Sequence, residues 1–204
     1  MNRSELIKQS RLFEEESAQD DVYPMALAWV RSHQSWPDKI PGIAALLAVW
    51  NGNDYWEAVK SLRHVLDRAD IQADLDSLRE ERLDTCNLEE HTPTLATLWE
   101  SFLLEPGFGS TAVSKTLHML IPNLFLPWDN DIADIHHRSW HFREHEKRSG
   151  QCYSDFLRAM QVECIKCLSG TSEEVMTSQL AEISGYSKPM TKAIDEANFN
   201  RVHR

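Results

Sequence analysis

Glycine and proline are scarce, at 7 and 8 in 204 residues. An all-β fold needs many tight turns, so this scarcity points away from one. Long apolar runs are also missing. The longest, Ile43 to Trp50, has eight residues, well short of the roughly 20 that an apolar helix needs to span a bilayer. The opening segment MNRSELIKQSRLFEEES has no apolar stretch of the kind a secretory signal carries, which leads to the expectation of a cytoplasmic protein. Cysteine is limited to Cys86, Cys152, Cys164 and Cys167, too few for a disulfide scaffold and most simply read as free thiols. Cys164-x-x-Cys167 has no second pair at zinc-ribbon spacing, and its flanks are helical. A cationic excess is absent as well: the formal net charge is -11. Nucleic-acid binders usually present a basic stripe that displaces counterions from phosphates. Any DNA contact here must therefore rest on a local site of backbone amides and a few cations.

What is present is helical patterning on a chain with 42% hydrophobic residues, enough for one compact interior. The spacing predicts an all-α protein of about ten helices forming a single domain over 1–204. Helices are expected at 4–17 with Ser4 as cap, at 22–33, at Ile43 to Trp50, at 54–68 and at 71–83. Another should open at Thr92-Pro93, with Thr as cap and Pro in the first turn. SWPDKIPG reads as a loop, because its two prolines and glycine interrupt a helix. Later helices are expected at 130–147 and 153–168. A capping box at Thr171-x-x-Glu174 should open the next, and a last helix should run from Ser187-Lys188-Pro189 to near Asn198. Leu46, Leu47, Leu62, Leu98, Phe102, Leu117, Leu120 and Phe125 are the expected core.

One stretch carries chemical information. Leu95, Leu98, Trp99 and Phe102 form an apolar helical stripe, and Glu105-Pro106-Gly107-Phe108-Gly109 is a tight turn. A new helix then starts at Ser110 or Thr111 and ends at Ile121-Pro122-Asn123. Glycines in such a turn reach backbone angles closed to other residues. The amides that open the second helix have no partners in their own helix, and with the helix dipole they favour an anion such as phosphate. Gly107, Gly109, Ser110, Thr111 and Lys115 are therefore candidate contacts to a nucleic-acid backbone. The loop LFLPW leads on to Asp129, a good helix cap.

The stretch EPGFGSTAVSKTLHMLIPNLFLPWDNDIADI resembles the helix-hairpin-helix DNA glycosylase superfamily over about 31 residues, with the hairpin region at 93–147. Gly107 to Asp129 spans 22 positions, which matches that family's register. The resemblance implies that Asp129 inherits the catalytic aspartate facing a flipped nucleotide. It further implies that Trp50, Trp56, His118 and Trp128 line a pocket for the base. The wording from Ser114 to Ile132 is also similar to a bacterial protein group with a Ser-Lys…Leu-His…Pro…Phe…Trp-Asp signature. The chain departs from the superfamily in two respects. Thr111 stands where bifunctional members carry a Schiff-base lysine, with Lys115 one turn further on, and the four-cysteine iron–sulfur motif is missing. The expected activity is thus monofunctional hydrolysis of an N-glycosidic bond in damaged DNA, with no cofactor.

Blander readings stand beside these. Asp129 also reads as a helix cap alone, the tryptophans as core, and Lys115 and His118 as parts of a solvated face. His137, His141 and His145 lie four apart on one helical face and could bind a metal, but no carboxylate partner is evident, so no metal is expected. The alternative function is a catalytically silent helical module that binds a protein partner or small ligand.

Overall fold

The computed structural model describes residues 1–16, 21–50, 55–129, 131–132 and 149–203. Among these, every regular element is helical, and ten α-helices are present. They are α1 (Arg3–Glu16), α2 (Val22–Ser32), α3 (Ile40–Trp50), α4 (Tyr55–Leu66), α5 (Ala69–Leu78), α6 (Leu88–Leu103), α7 (Ser110–Leu120), α8 (Gly150–Leu168), α9 (Glu173–Ser184) and α10 (Met190–His203). All eight expected core residues are at most 4% exposed. No helix among the described residues is long and apolar enough to cross a membrane.

Several helix starts differ from the sequence expectation, and each difference has a local cause. Asn2, not Ser4, accepts the early amide of α1, from Glu5 N at 3.0 Å. The SWPDKIPG segment is not a continuous loop. Pro37 opens a 3-10 turn, and Pro41 stands in the first turn of α3, where the missing N–H has no helical partner to lose. α6 begins at Leu88 rather than at Thr92-Pro93. Asn87 is its cap, accepting from Glu90 N at 3.4 Å, and Glu89 and Glu90 complement the dipole in the first turn. Pro93 is absorbed within the helix, while the Thr92 hydroxyl donates to Leu88 O at 2.7 Å. Ser172, not Thr171, caps α9 through Val175 N. α10 runs past Asn198 to His203. The helix predicted at 130–147 lies almost wholly outside the described residues.

α1 packs against α9 and α10, so the N-terminal helix closes on the C-terminal ones. In the other half α2 lies on α3, and α3 on α4 and α7. α6 joins the halves by packing on both α7 and α8. The α6–α8 approach is close: a Cβ on Gly150 would stand 2.6 Å from Ala96 Cα. α10 is unusual because nearly all of it is buried although it is rich in polar side chains. Thr191, Lys192, Asp195, Glu196, Asn198 and Asn200 lie in the interior, as does Lys188 just before the helix. Buried charges need partners, and those partners define the site below.

Candidate functional site

The turn between α6 and α7 closes through Glu105 N to Phe102 O (3.1 Å) and Phe108 N to Glu105 O (3.2 Å). Phe108 is buried edge-on against Phe102. Gly107 has φ +81°, and a Cβ there would fall 2.3 Å from Ala58 N and 2.5 Å from Glu57 Cβ. Its need for glycine thus has a cause inside the fold, the approach of the turn to α4. Ser61 donates to Pro106 O at 3.0 Å, and His64 Nδ1 meets Glu105 Oε1 at 3.0 Å. Gly109 differs. It is extended, at φ -99° and ψ 171°, and the space around its missing Cβ is open. It is the N-cap of α7, and no side chain caps that helix end. Ser110 and Thr111 follow in the first turn, both half-buried.

α7 fixes the loop that delivers Asp129. The Ser114 hydroxyl accepts from Trp128 N at 2.8 Å and lies 2.9 Å from Trp128 O. One turn on, His118 Nδ1 is 2.8 Å from Phe125 O. A carbonyl only accepts, so Nδ1 carries the proton and Nε2 accepts from the Tyr23 hydroxyl at 2.7 Å. Burial drives the His118 pKa down to about 3, although the Phe125 carbonyl favours protonation. His118 is therefore a neutral strut. Tyr153 adds a third clamp by donating to Leu126 O at 2.7 Å. Asp129, half-buried at the end of this loop, accepts from Ile132 N through Oδ1 at 2.8 Å. This is the side-chain-to-amide bond, three residues on, that a capping aspartate makes.

Charged side chains converge near Asp129 from α7 and α10. Lys115 Nζ donates to Trp50 O at 3.0 Å and is also 5.5 Å from the Trp50 ring centroid. Burial lowers the Lys115 pKa, Asp195 and Asp129 oppose that shift, and Lys192 adds to it. Lys192 Nζ lies 3.5 Å from Asp195 Oδ2 and 3.8 Å from Glu196 Oε1. It also faces the rings of Phe13 (4.6 Å), Trp50 (4.6 Å) and Tyr23 (5.2 Å), an aromatic setting that favours a cation. Tyr23 and Trp50 stack with their planes 2° apart. Burial pushes the Asp195 carboxyl up to about 7. Lys192 pulls it down, Asp129 and Glu196 add to the rise, and Lys115 opposes it. A separate clamp lies behind. Lys188 reaches Glu196 Oε1 at 2.6 Å, Glu14 at 2.5 Å and Ser10 at 3.1 Å, tying α10 to α1.

Of the residues singled out in the sequence, Lys115 meets Trp50, and the charge of Asp129 acts on Lys115. It places the others elsewhere. Trp128 is 3% exposed and packs among Trp99, Tyr153 and Phe156. Trp56 stands on the surface at 61% exposure, against Tyr55. His118 is wholly buried as a loop strut rather than on a solvated face. His137, His141 and His145 lie outside the described residues. All four cysteines are buried thiols. Sequence reasoning missed Lys192 and Asp195. Their signal was the run MTKAIDEA, in which Lys192, Asp195 and Glu196 fall at i, i+3 and i+4 among Met190, Ala193, Ile194 and Ala197. A surface groove between α1 and α9, lined by Ile7, Arg11, Glu14, Gln179 and Glu182, contains none of the predicted site residues. No protein-family model matches the chain, and neither a curated protein nor a solved structure matches it.

Proposed function

We propose that this chain is a DNA-binding protein of the glycosylase type that hydrolyses an N-glycosidic bond in damaged DNA. The observation that carries the reading is the position of Asp129. It follows the glycine hairpin and the clamped loop, and it acts electrostatically on Asp195 and Lys115, which Lys192 joins. Cleavage of an N-glycosidic bond builds positive charge on the sugar, and the Asp129 carboxylate would stabilise it and orient a water. Asp195, with its pKa lifted to about 7, would hold a proton near neutral pH for the departing base. Asp195 would act as the acid and Asp129 as the charge stabiliser. The uncapped start of α7, at Gly109, Ser110 and Thr111, offers amides to a phosphate.

The test is base release under enzyme excess. Duplexes carrying uracil, hypoxanthine, an alkylated purine or an oxidised purine are incubated with the protein, and abasic sites are read by alkaline scission. One lesion class should yield abasic sites. Borohydride trapping separates the two chemistries. A hydrolase gives no covalent adduct, whereas an adduct through the desolvated Lys115 amine would make the protein a lyase.

A binding module without catalysis is the second reading. The packing of Gly107 on α4 supports it, because that glycine has a purely structural reason to be present, and so does the net charge of -11. Steeply salt-dependent DNA binding favours the first reading. No DNA binding at low salt, together with no base release, favours the second, with a protein or small molecule as ligand.

A further inference from the structure

Between α5 and α6 the chain makes a tight turn that is fixed from several sides. Leu83 N donates to Asn123 O at 2.9 Å, and Cys86 N to Arg82 O at 2.8 Å. The Gln161 amide, reaching over from α8, donates to both Leu83 O (2.8 Å) and Cys86 O (2.7 Å). Asn87 then caps α6, and His91 N bonds Asn87 O at 3.2 Å. This framework brings three different donors to one point. A carboxylate oxygen of Glu81, the sulfur of Cys86 and a ring nitrogen of His91 all lie within 4.8 Å of one another. Glu81 Oε1 and His91 Nε2 are 3.8 Å apart. Cys86 is only 5% exposed, whereas Glu81 and His91 are half-exposed.

We propose that Glu81, Cys86 and His91 are the protein ligands of a zinc ion, with water in the fourth position on the solvent side. Zinc takes thiolate, imidazole and carboxylate ligands at about 2.0–2.3 Å, usually in a tetrahedron. That geometry puts neighbouring donors roughly 3.3–3.8 Å apart, so the trio needs at most a small contraction. The Cys86 sulfur is set by the clamped turn, and Glu81 already lies beside both Cys86 and His91. The thiol gives up its proton on binding, as zinc requires of a cysteine ligand. A mixed sulfur, nitrogen and oxygen set suits zinc better than the hard cations calcium or magnesium, which take oxygen alone. The site is independent of the glycosylase reading. It is also distinct from the Cys164-x-x-Cys167 pair, which lies on α8.

The test uses the full chain stripped with a chelator and reloaded with zinc alone or cobalt alone. One equivalent of zinc should survive dialysis. Cobalt should give the strong visible bands of a four-coordinate ion and a near-ultraviolet thiolate charge-transfer band. Cys86→Ser should abolish the charge-transfer band, and Cys164→Ser should leave it intact. Glu81→Gln and His91→Ala should each weaken zinc binding by roughly tenfold or more, since even outer-shell changes at zinc sites cost that much. These two half-exposed positions keep the test decisive if Cys86→Ser fails to fold. Zinc lost on dialysis, a charge-transfer band that persists in Cys86→Ser, or affinity unchanged in both other variants would overturn the proposal.

Discussion

Gly107→Ala should destabilise the protein severely, while Gly109→Ala should barely affect its stability. At φ +81° an L-residue pays about 1–2 kcal/mol for the left-handed conformation. The new methyl would also stand 2.3 Å from Ala58 N and 2.7 Å from Glu57 C. Those are backbone atoms of α4, so no rotamer change relieves the clash, and α4 must shift relative to the turn. Overpacking of this kind costs about 1–3 kcal/mol. The two contributions together come to about 2–5 kcal/mol. For a chain of this size each kcal/mol lowers Tm by about 2–4 °C, so a loss on the order of 10 °C is expected. At Gly109 the backbone is extended and the space is open. Alanine there costs no more than about 1 kcal/mol, from its poorer performance as a helix cap. Thermal unfolding followed by circular dichroism at a fixed scan rate reads both. Equal Tm shifts for the two variants would refute the argument, as would a Gly107→Ala protein that melts with the wild type. The same pair separates fold from function. If the start of α7 holds a phosphate, Gly109→Ala should weaken DNA binding in a protein that remains fully folded.

Ser114→Ala removes the hydroxyl that serves Trp128 N and faces Trp128 O in the buried loop. Leaving such groups unpaired should cost about 1–3 kcal/mol, and the Tm should fall accordingly; an unchanged Tm would mean the loop is held by other contacts. Two buried groups give opposite pH dependence. Asp195, raised from 3.8 to about 7, contributes stability that is full at low pH and lost as pH rises from about 4 to 7. His118, lowered from 6.5 to about 3, contributes stability that is full above 6.5 and lost as pH falls toward 3. Asp195→Asn removes the first contribution, so the Tm of the variant relative to wild type should become more favourable from pH 4 to pH 8; a constant difference would place the Asp195 proton elsewhere. Burial also pushes the Cys164 thiol up to about 12 and raises that of Cys167. Ellman's reagent should therefore react slowly with the native chain and rapidly with four thiols once guanidinium unfolds it; fast native labelling would contradict the burial.

The helical class was legible because apolar residues recur at helical spacing, as in Leu95, Leu98, Trp99 and Phe102. The eight named core residues were legible for the same reason. Helix starts were less so. Thr92-Pro93 has the composition of a start, yet Asn87 with two following glutamates offers a stronger one five residues earlier, and the helix runs through the proline. Within the site, the PGFG turn and Asp129 stood out because glycine and a capping aspartate have strong local preferences. The roles of Ser114 and His118 did not, since their partners Trp128, Phe125 and Tyr23 are set by tertiary packing. Lys192 and Asp195 were missed because a charged residue on a helix is normally solvated. Only the folded chain shows that α10 is enclosed. The Glu81, Cys86 and His91 trio was illegible for a related reason, because a loop and a helix start bring it together without any repeated spacing.

The central functional claim is that the Asp129 charge carries chemistry beyond capping a helix. Asp129→Asn keeps the cap, since asparagine accepts the Ile132 amide as well as aspartate does, but it cannot stabilise a sugar cation. Single-turnover base release on the cleaved duplex, compared between wild type and this variant at equal protein and salt, tests the claim directly. The expected result is a rate loss of roughly a hundredfold or more, on the order of 3 kcal/mol in the barrier, with Tm and DNA affinity nearly unchanged. An Asp129→Asn protein that releases base at the wild-type rate would contradict it.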